Sequence, residues 1–167
     1  MNLTTTIGGS TSNSYASLDD FESYCDERLN VDVFWEADDD DRSRALLMAA
    51  RRLNRENWRG SPVSATQALA WPRSDVVKPD PVRGLDLSYY GDEYLTTEIP
   101  QIIKDAQCEL ALAYLDGFDD GEEDSIDSFS ADGVSVKFRG SRPSGSLPAA
   151  VSQLIGGLLR GNRLVRA

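Results

Sequence analysis

Residues 99–117 read IPQIIKDAQCELALAYLDG, and this stretch decides the fold class. Pro100 suits the first turn of a helix, where its missing N–H costs nothing, and Gly117 suits the position that ends one. Apolar side chains lie on two opposite faces, so the second half of the segment is apolar all round. This pattern predicts a helix from about Pro100 to Asp116 that is either central in the core or shared with a neighbouring subunit.

Two further helices are predicted upstream. Ser17, followed three residues later by Asp20, is typical of a helix start, and apolar residues at helical spacing extend this first helix from Leu18 to Leu29. The acidic run Asp38–Asp41 predicts a second start, since carboxylates stabilise a helix N-terminus. The apolar face of this second helix extends to Trp58, and arginines occupy its later turns.

The segment from Gly60 to Thr97 has no sustained period and contains four prolines, so we predict a long irregular loop between helices two and three. The step from Trp71 to Pro72 is incompatible with a regular helix. A large ring on an irregular segment is costly to expose. We therefore expect Trp71 to fill a pocket, either in its own chain or in a neighbouring subunit.

The C-terminal third of the chain contains an acidic segment, a predicted strand and a predicted helix, in this order. Residues 116–132 are acidic and predict a mobile loop, and alternation over Val134–Phe138 predicts a short strand or hairpin. Pro148 then opens a last helix that contains Gly156 and Gly157. The predicted fold is mainly α, with about four helices. We divide it into a helical domain, 1–145, with an N-terminal arm, and a segment, 146–167, with a docking helix and a basic tail.

Charge is distributed unevenly along the 167 residues. The net charge is −11, and all 28 acidic residues lie at or before Asp132. Residues 133–167 carry six basic residues and no acid. A field of this overall sign repels nucleic acid, whereas the basic C-terminal segment suits an acidic partner or the chain's own acidic body.

The residues needed for common catalytic chemistry are absent from the sequence. It contains no histidine, no Cys-x-x-Cys pair, no phosphate-binding loop and no Gly-x-Ser-x-Gly elbow. We expect no enzyme activity, no metal and no cofactor. Cys25 and Cys108 are expected to be free, buried thiols. The longest apolar run, Leu110–Leu115, is too short for a membrane span, and no signal peptide is evident.

Several short segments, in this order and spacing, resemble the head–tail connector (adaptor or neck) proteins of tailed bacteriophages and sequences labelled DnaT-like single-stranded-DNA-binding proteins. The resemblance covers residues 13–159. The segments that carry it are Asn13–Ser17, Trp58–Gly60, Gln67–Arg73, Ile99–Gln101 and Cys108–Ala111.

The connector resemblance implies a structural protein of the virion neck, made in the host cytoplasm. It implies a homo-oligomeric ring of about twelve copies that docks on the portal protein, extends the DNA channel, retains packaged DNA and meets a downstream neck or tail-completion protein. Double-stranded DNA would pass without sequence-specific binding. On this reading, portal docking is predicted for Leu147, Val151, Leu154, Ile155, Leu158, Leu159, Arg160, Arg163 and Arg166. Inter-subunit contact is predicted for Trp71, Pro72, Arg73, Tyr89 and Tyr90. An acidic channel surface is predicted for Asp38, Asp39, Asp40, Asp41, Asp119, Asp120, Glu122, Glu123 and Asp124.

The second label implies an accessory protein of replication that binds single strands. Such a protein needs a basic groove with aromatic platforms, and the candidates are Trp71, Arg73, Tyr89 and Tyr90 with the basic tail. The charge of −17 over residues 1–132 argues against this reading. A helical interaction module without a DNA role is a third alternative.

Overall fold

The computed structural model describes residues 2–78, 93–119, 128–131, 134–137 and 146–161. The described chain is mainly helical, which confirms the predicted fold class, and it adds two small two-stranded antiparallel sheets. In chain order the elements are α1 (Leu18–Asp26), α2 (Asp32–Glu36), α3 (Asp39–Leu53), β1 (Ser61–Pro62), β2 (Arg73–Ser74), α4 (Gln101–Leu115), β3 (Ser128–Ala131), β4 (Val134–Lys137) and α5 (Ala149–Ile155), followed by a 3-10 turn (Gly156–Leu158).

Helix α4 is the centre of the core. It packs against α1, α2, α3 and α5. Ile103 and Leu110 have no exposed surface, and each such side chain contributes about 1.5–3 kcal/mol by its burial. The carbonyl of Pro100 accepts from Ile103 N (2.9 Å), and Gly117 ends the helix with φ of 87°. Of the two predicted alternatives, a central core helix and a helix shared with a neighbouring subunit, α4 fits the first.

The N-terminal arm is pinned to the core by one buried amide. Gln107 on α4 is fully buried, and its Oε1 accepts from Tyr15 N (2.8 Å) and Ala16 N (2.9 Å). Its Nε2 donates to Ser14 Oγ (2.7 Å) and to Leu46 O on α3 (2.9 Å). All the polar atoms of this side chain are therefore hydrogen-bonded, and Gln107 of α4 connects the N-terminal arm to α3.

The first predicted helix is too long. Helix α1 ends at Asp26, and Leu29, predicted on its apolar face, is 85% exposed. The chain turns at Asn30, whose φ of 60° is incompatible with a right-handed helix. The five-residue helix α2, which the sequence analysis missed, follows this turn. It buries Phe34, whose ring meets that of Phe21 edge to face with centroids 4.8 Å apart.

The second predicted helix begins as expected and ends early. Asp38 caps α3 by accepting from Asp41 N (2.8 Å). The helix ends at Leu53, so the prediction that Trp58 lies on its apolar face is wrong. Trp58 is nevertheless 3% exposed, because the chain folds back and its Nε1 donates to Leu53 O (3.0 Å).

The region predicted as one long loop contains regular pairing. Strand β1 pairs with β2, and Val77 forms an isolated bridge with Glu93. Residues 79–92, which include Tyr89 and Tyr90, lie outside the described residues. The hairpin predicted before the last helix is present as β3 and β4, so the end of the predicted acidic loop is a strand.

The last helix packs on α4 and completes the core. Leu147, Val151, Ile155 and Leu158 are at most 8% exposed and belong to the same apolar cluster as α4. The two glycines predicted in mid-helix lie after its end, since α5 stops at Ile155 and continues as the 3-10 turn. This boundary agrees with the high cost of glycine inside an α-helix.

The two cysteines are free and buried, as predicted. Burial raises the pKa of the Cys25 thiol to about 11, and burial also raises the pKa of Cys108. A thiol is reactive as the thiolate, so both side chains are inert packing groups at neutral pH.

Candidate functional site

The C-terminal end of the described chain is held against the loop that follows α3. Arg59 N donates to Leu158 O (2.9 Å), and Arg160 N donates to Asn57 O (2.7 Å). These two bonds flank the bridge between Trp58 and Leu159. The side chain of Arg59 adds a third contact through Nε to Leu159 O (3.0 Å). Basic residues from two distant parts of the sequence therefore meet at one place.

Arg73 lies beneath this junction and is only 8% exposed. Its guanidinium donates to three carbonyl oxygens: Arg59 O (2.6 Å), Gly60 O (2.9 Å) and Ala70 O (3.1 Å). Burial lowers the pKa of Arg73, and the nearby charge of Arg160 lowers it further. Arg73, predicted to contact another subunit, therefore organises the loop of its own chain.

Gly60 is the point at which the two guanidinium groups converge. Its carbonyl accepts from Arg73 Nη2 and from Arg160 Nη2, each at 2.9 Å. Its φ of 66° is in the left-handed region, and a Cβ at this position would collide with Ser74 O and with Cγ2 of Val76. Glycine is required here for both reasons.

A cavity of about 690 Å³ opens beside these arginines. We call it the arginine groove and define it by five of its polar lining residues, Asn54, Asn57, Gln67, Arg73 and Arg160. The carboxylate of Glu56 also lines it and is neutralised by an ion pair with Arg52. The lining is thus cationic and rich in amides, a combination that suits oxygen-rich anions.

The two tryptophan rings near the groove are buried. Trp71 is 1% exposed and packs edge to face on Trp58 and on Tyr94, with centroids 5.7 and 5.9 Å away. The peptide bond between Trp71 and Pro72 is cis. The chain itself fills the pocket around Trp71, so neither face of this ring is available for stacking. The single-strand hypothesis had predicted that bases stack on it. Pro72 is buried as well, and contact of Trp71, Pro72 or Arg73 with another copy stays a prediction.

The residues predicted to dock on a portal protein separate into four groups. Leu147, Val151, Ile155 and Leu158 are core residues of this chain, and docking of this segment on a portal protein stays a prediction. Leu154 and Leu159 are partly buried against the same core, and Arg160 is exposed at the groove. Arg163 and Arg166 lie outside the described residues.

The acidic residues predicted for a channel surface are exposed where they are described, and their position at a channel stays a prediction. Asp38, Asp39, Asp40 and Asp41 are all exposed at the N-terminal end of α3, where Asp39 pairs with Arg42 (3.1 Å) and Asp41 pairs with Arg44. Asp119 is exposed too. The remaining predicted acids, Asp120, Glu122, Glu123 and Asp124, lie outside the described residues.

Metal-binding and membrane-spanning features are not found in the described ranges. No three His, Cys, Asp or Glu side chains come together there as metal ligands. No described helix has the length and apolar character of a membrane span.

Comparison with known protein families gives one result. Residues 1–167 match the family model described as "Putative DnaT-like ssDNA binding protein". The chain belongs to this family. No curated protein and no solved structure matches the sequence. In this DnaT-like chain, the arginine groove combines clustered positive charge with a cavity.

Sequence reasoning located only part of this DnaT-like groove. Arg73 and the basic tail that begins at Arg160 are among the candidates of the single-strand hypothesis, and the connector resemblance predicts inter-subunit contact for Arg73 and portal docking for Arg160. Asn54, Asn57 and Gly60 were not, because an amide or a glycine outside a regular element carries no chemical signal on its own. The position of Gly60 directly after a basic residue and before a proline-containing strand marks only a turn.

Proposed function

We propose that this chain binds single-stranded DNA and serves as an accessory protein of replication. The match of the whole chain to a family described by single-stranded-DNA binding carries the proposal. The arginine groove supports it, because Arg160 is exposed in its lining and Arg73 lies beneath it, while Arg59 is exposed at the adjoining contact with Leu158 and Leu159. The role is binding without catalysis.

The net negative charge of the chain is expected to weaken this binding. A net charge of −11 opposes the approach of any polyanion, so the contact must come from a local cluster of arginines. Single strands lose affinity with a logarithmic salt slope of about −0.7 for each phosphate contacted. Three to five contacts, from the groove and the basic tail, therefore predict a slope of about −2 to −3.5.

A salt series tests this proposal directly. The fluorescence anisotropy of a labelled oligothymidine of about 16 nucleotides is followed as the chain is added, from about 50 to 200 mM salt. We expect binding at low salt that weakens with the slope given above, and weaker binding to a duplex of the same length. Absence of binding at the lowest salt contradicts the proposal.

A second candidate is the phage head–tail connector to which the sequence is also similar. The observation that favours it is the exposed acidic surface of Asp38–Asp41, since a channel wall must not grip passing DNA. In this role the chain forms a ring of about twelve copies in the virion neck, between the portal protein and a downstream neck or tail protein. The family comparison gives this role no support of its own.

Native mass spectrometry separates the two candidates. The chain is measured alone and mixed with the portal protein from the same source. A portal ring that carries many copies of the chain favours the connector role. A monomer that ignores the portal and binds oligothymidine favours the first proposal.

A further inference from the structure

The arginine groove contains two positive charges that no described carboxylate compensates. Arg73 and Arg160 both donate to the carbonyl of Gly60, so their guanidinium groups lie side by side. The other hydrogen bonds of Arg73 end on carbonyl oxygens. Carbonyl dipoles stabilise such cations only partly, and two adjacent like charges repel each other.

Nearby acidic groups do not relieve this repulsion. Within the described ranges, Arg59, Arg73 and Arg160 form no ion pair. The carboxylate that lines the groove, Glu56, is paired with Arg52 instead. The groove therefore has an excess of positive charge at its surface. A binding site for an external anion requires such an excess.

We infer that the arginine groove binds the phosphodiester backbone of a single strand, with Arg160 and Arg59 in contact with phosphate oxygens. This inference rests on the proposed function and gives it a site. Arg73 acts as a positioning residue, because it is buried and holds the carbonyls of the loop. The amide side chain of Asn57, exposed on the same rim, supplies a neutral donor for a sugar or a phosphate.

The groove points to recognition of the backbone rather than of the bases. Single-strand-binding proteins usually stack bases on aromatic rings, but Trp58 and Trp71 are buried in the core beside the groove. Contacts that use phosphate alone carry no sequence information. Oligonucleotides of different sequence and equal length are therefore expected to bind with similar affinity.

The basic tail begins at the same rim. The described chain leaves the groove at Gly161, directly after the bond from Arg160 N to Asn57 O. The last six residues include Arg163 and Arg166. Both lie outside the described residues and are not part of the inferred site.

Two variants test the site: Arg160→Gln and Arg59→Gln. Each variant removes one exposed charge and one hydrogen bond to a backbone carbonyl but no apolar core contact. We expect the salt slope to fall by about 0.7 for each phosphate that the variant no longer binds. Both are measured with the oligothymidine titration, and their thermal unfolding is recorded.

Arg44→Gln is the matched control. It makes the same change of charge at an exposed position on α3, ten residues before Asn54 and hence about 15 Å away along the helix. We expect its affinity and salt slope to equal those of the unmodified chain. An equal loss in the control would show that only net charge matters, which would overturn the assignment of the site.

The outcomes distinguish the site from the function. If the unmodified chain binds and the groove variants bind equally well, the function stands and the inferred site is wrong. If the unmodified chain does not bind, the proposed function fails and the inference fails with it. Tighter binding of a polyaspartate peptide of equal charge would assign the groove to an acidic protein segment and would also overturn the inference.

Discussion

Replacement of Ile155 by alanine should destabilise the whole domain. Ile155 lies on α5, has no exposed surface and belongs to the same core cluster as Leu110 of α4. Loss of a large buried aliphatic side chain costs about 2–5 kcal/mol, as the sum of lost transfer free energy and the cavity left behind. For a chain of this size, each kcal/mol lowers the melting temperature by about 2–4 °C. A fall of about 4–20 °C is therefore expected.

Differential scanning calorimetry of Ile155→Ala and of the control Gln153→Ala measures this effect. Gln153 is exposed on the same helix, so its replacement by the best helix former leaves the core intact. We expect one cooperative transition for each variant, lowered only for Ile155→Ala. Equal melting temperatures would refute the conclusion that α5 is part of the core. They would instead favour a helix that docks on a separate partner.

Three further predictions concern the loop, the arm and the acid response. Gly60→Ala should abolish the loop geometry and lower the melting temperature, because a methyl group has no room against the facing strand; near-normal melting would contradict this. Gln107→Leu leaves the buried amides of Tyr15 and Ala16 without an acceptor, at a cost of about 1–3 kcal/mol each. Hydrogen exchange at both amides should accelerate, and unchanged protection would show that the arm is held otherwise. Burial raises the pKa of Asp20, but hydrogen bonds from Ser17 and the Lys104 ammonium outweigh it and lower the pKa overall. The stabilisation is therefore present above the unfolded pKa and is lost as the pH falls through the folded value. Asp20→Asn should reduce stability at neutral pH and flatten its dependence below about pH 4, as followed by urea unfolding across pH.

The helix ends that were predicted well are determined by interactions between neighbouring residues. The start of α1 is fixed by reciprocal hydrogen bonds between Ser17 and Asp20, and that capping pair is visible in the sequence. The limits of α4 follow from Pro100 and Gly117 in the same way. Such signals depend on residues within one turn of each other, so they survive without knowledge of the tertiary fold.

The sequence analysis failed where contacts between residues far apart in the sequence determine the structure. Trp58 has helical spacing with the face of α3, but its burial comes from a chain reversal and from contact with Trp71. The apolar face of α5 was identified, and most of it packs on α4 of the same chain, while docking of this segment on a portal protein stays a prediction. Amphipathic spacing shows that a face is covered and does not show by what. The convergence of Arg73 and Arg160 on Gly60 joins residues up to a hundred positions apart, and no periodicity reports such a meeting.

The acidic body and the cationic groove act over different distances. At an ionic strength of 0.15 M, exposed charges are screened beyond about 8 Å, so a strand already seated on Arg59 and Arg160 is largely shielded from carboxylates elsewhere on the surface. An approaching strand, however, meets the field of the net charge of −11 before it reaches the groove. Added salt should therefore speed association by screening the body, and it should also speed dissociation by weakening the phosphate contacts. Opposite effects of salt on the association rate and on the affinity distinguish a local site on an acidic protein from a uniformly basic surface, where salt slows association as well.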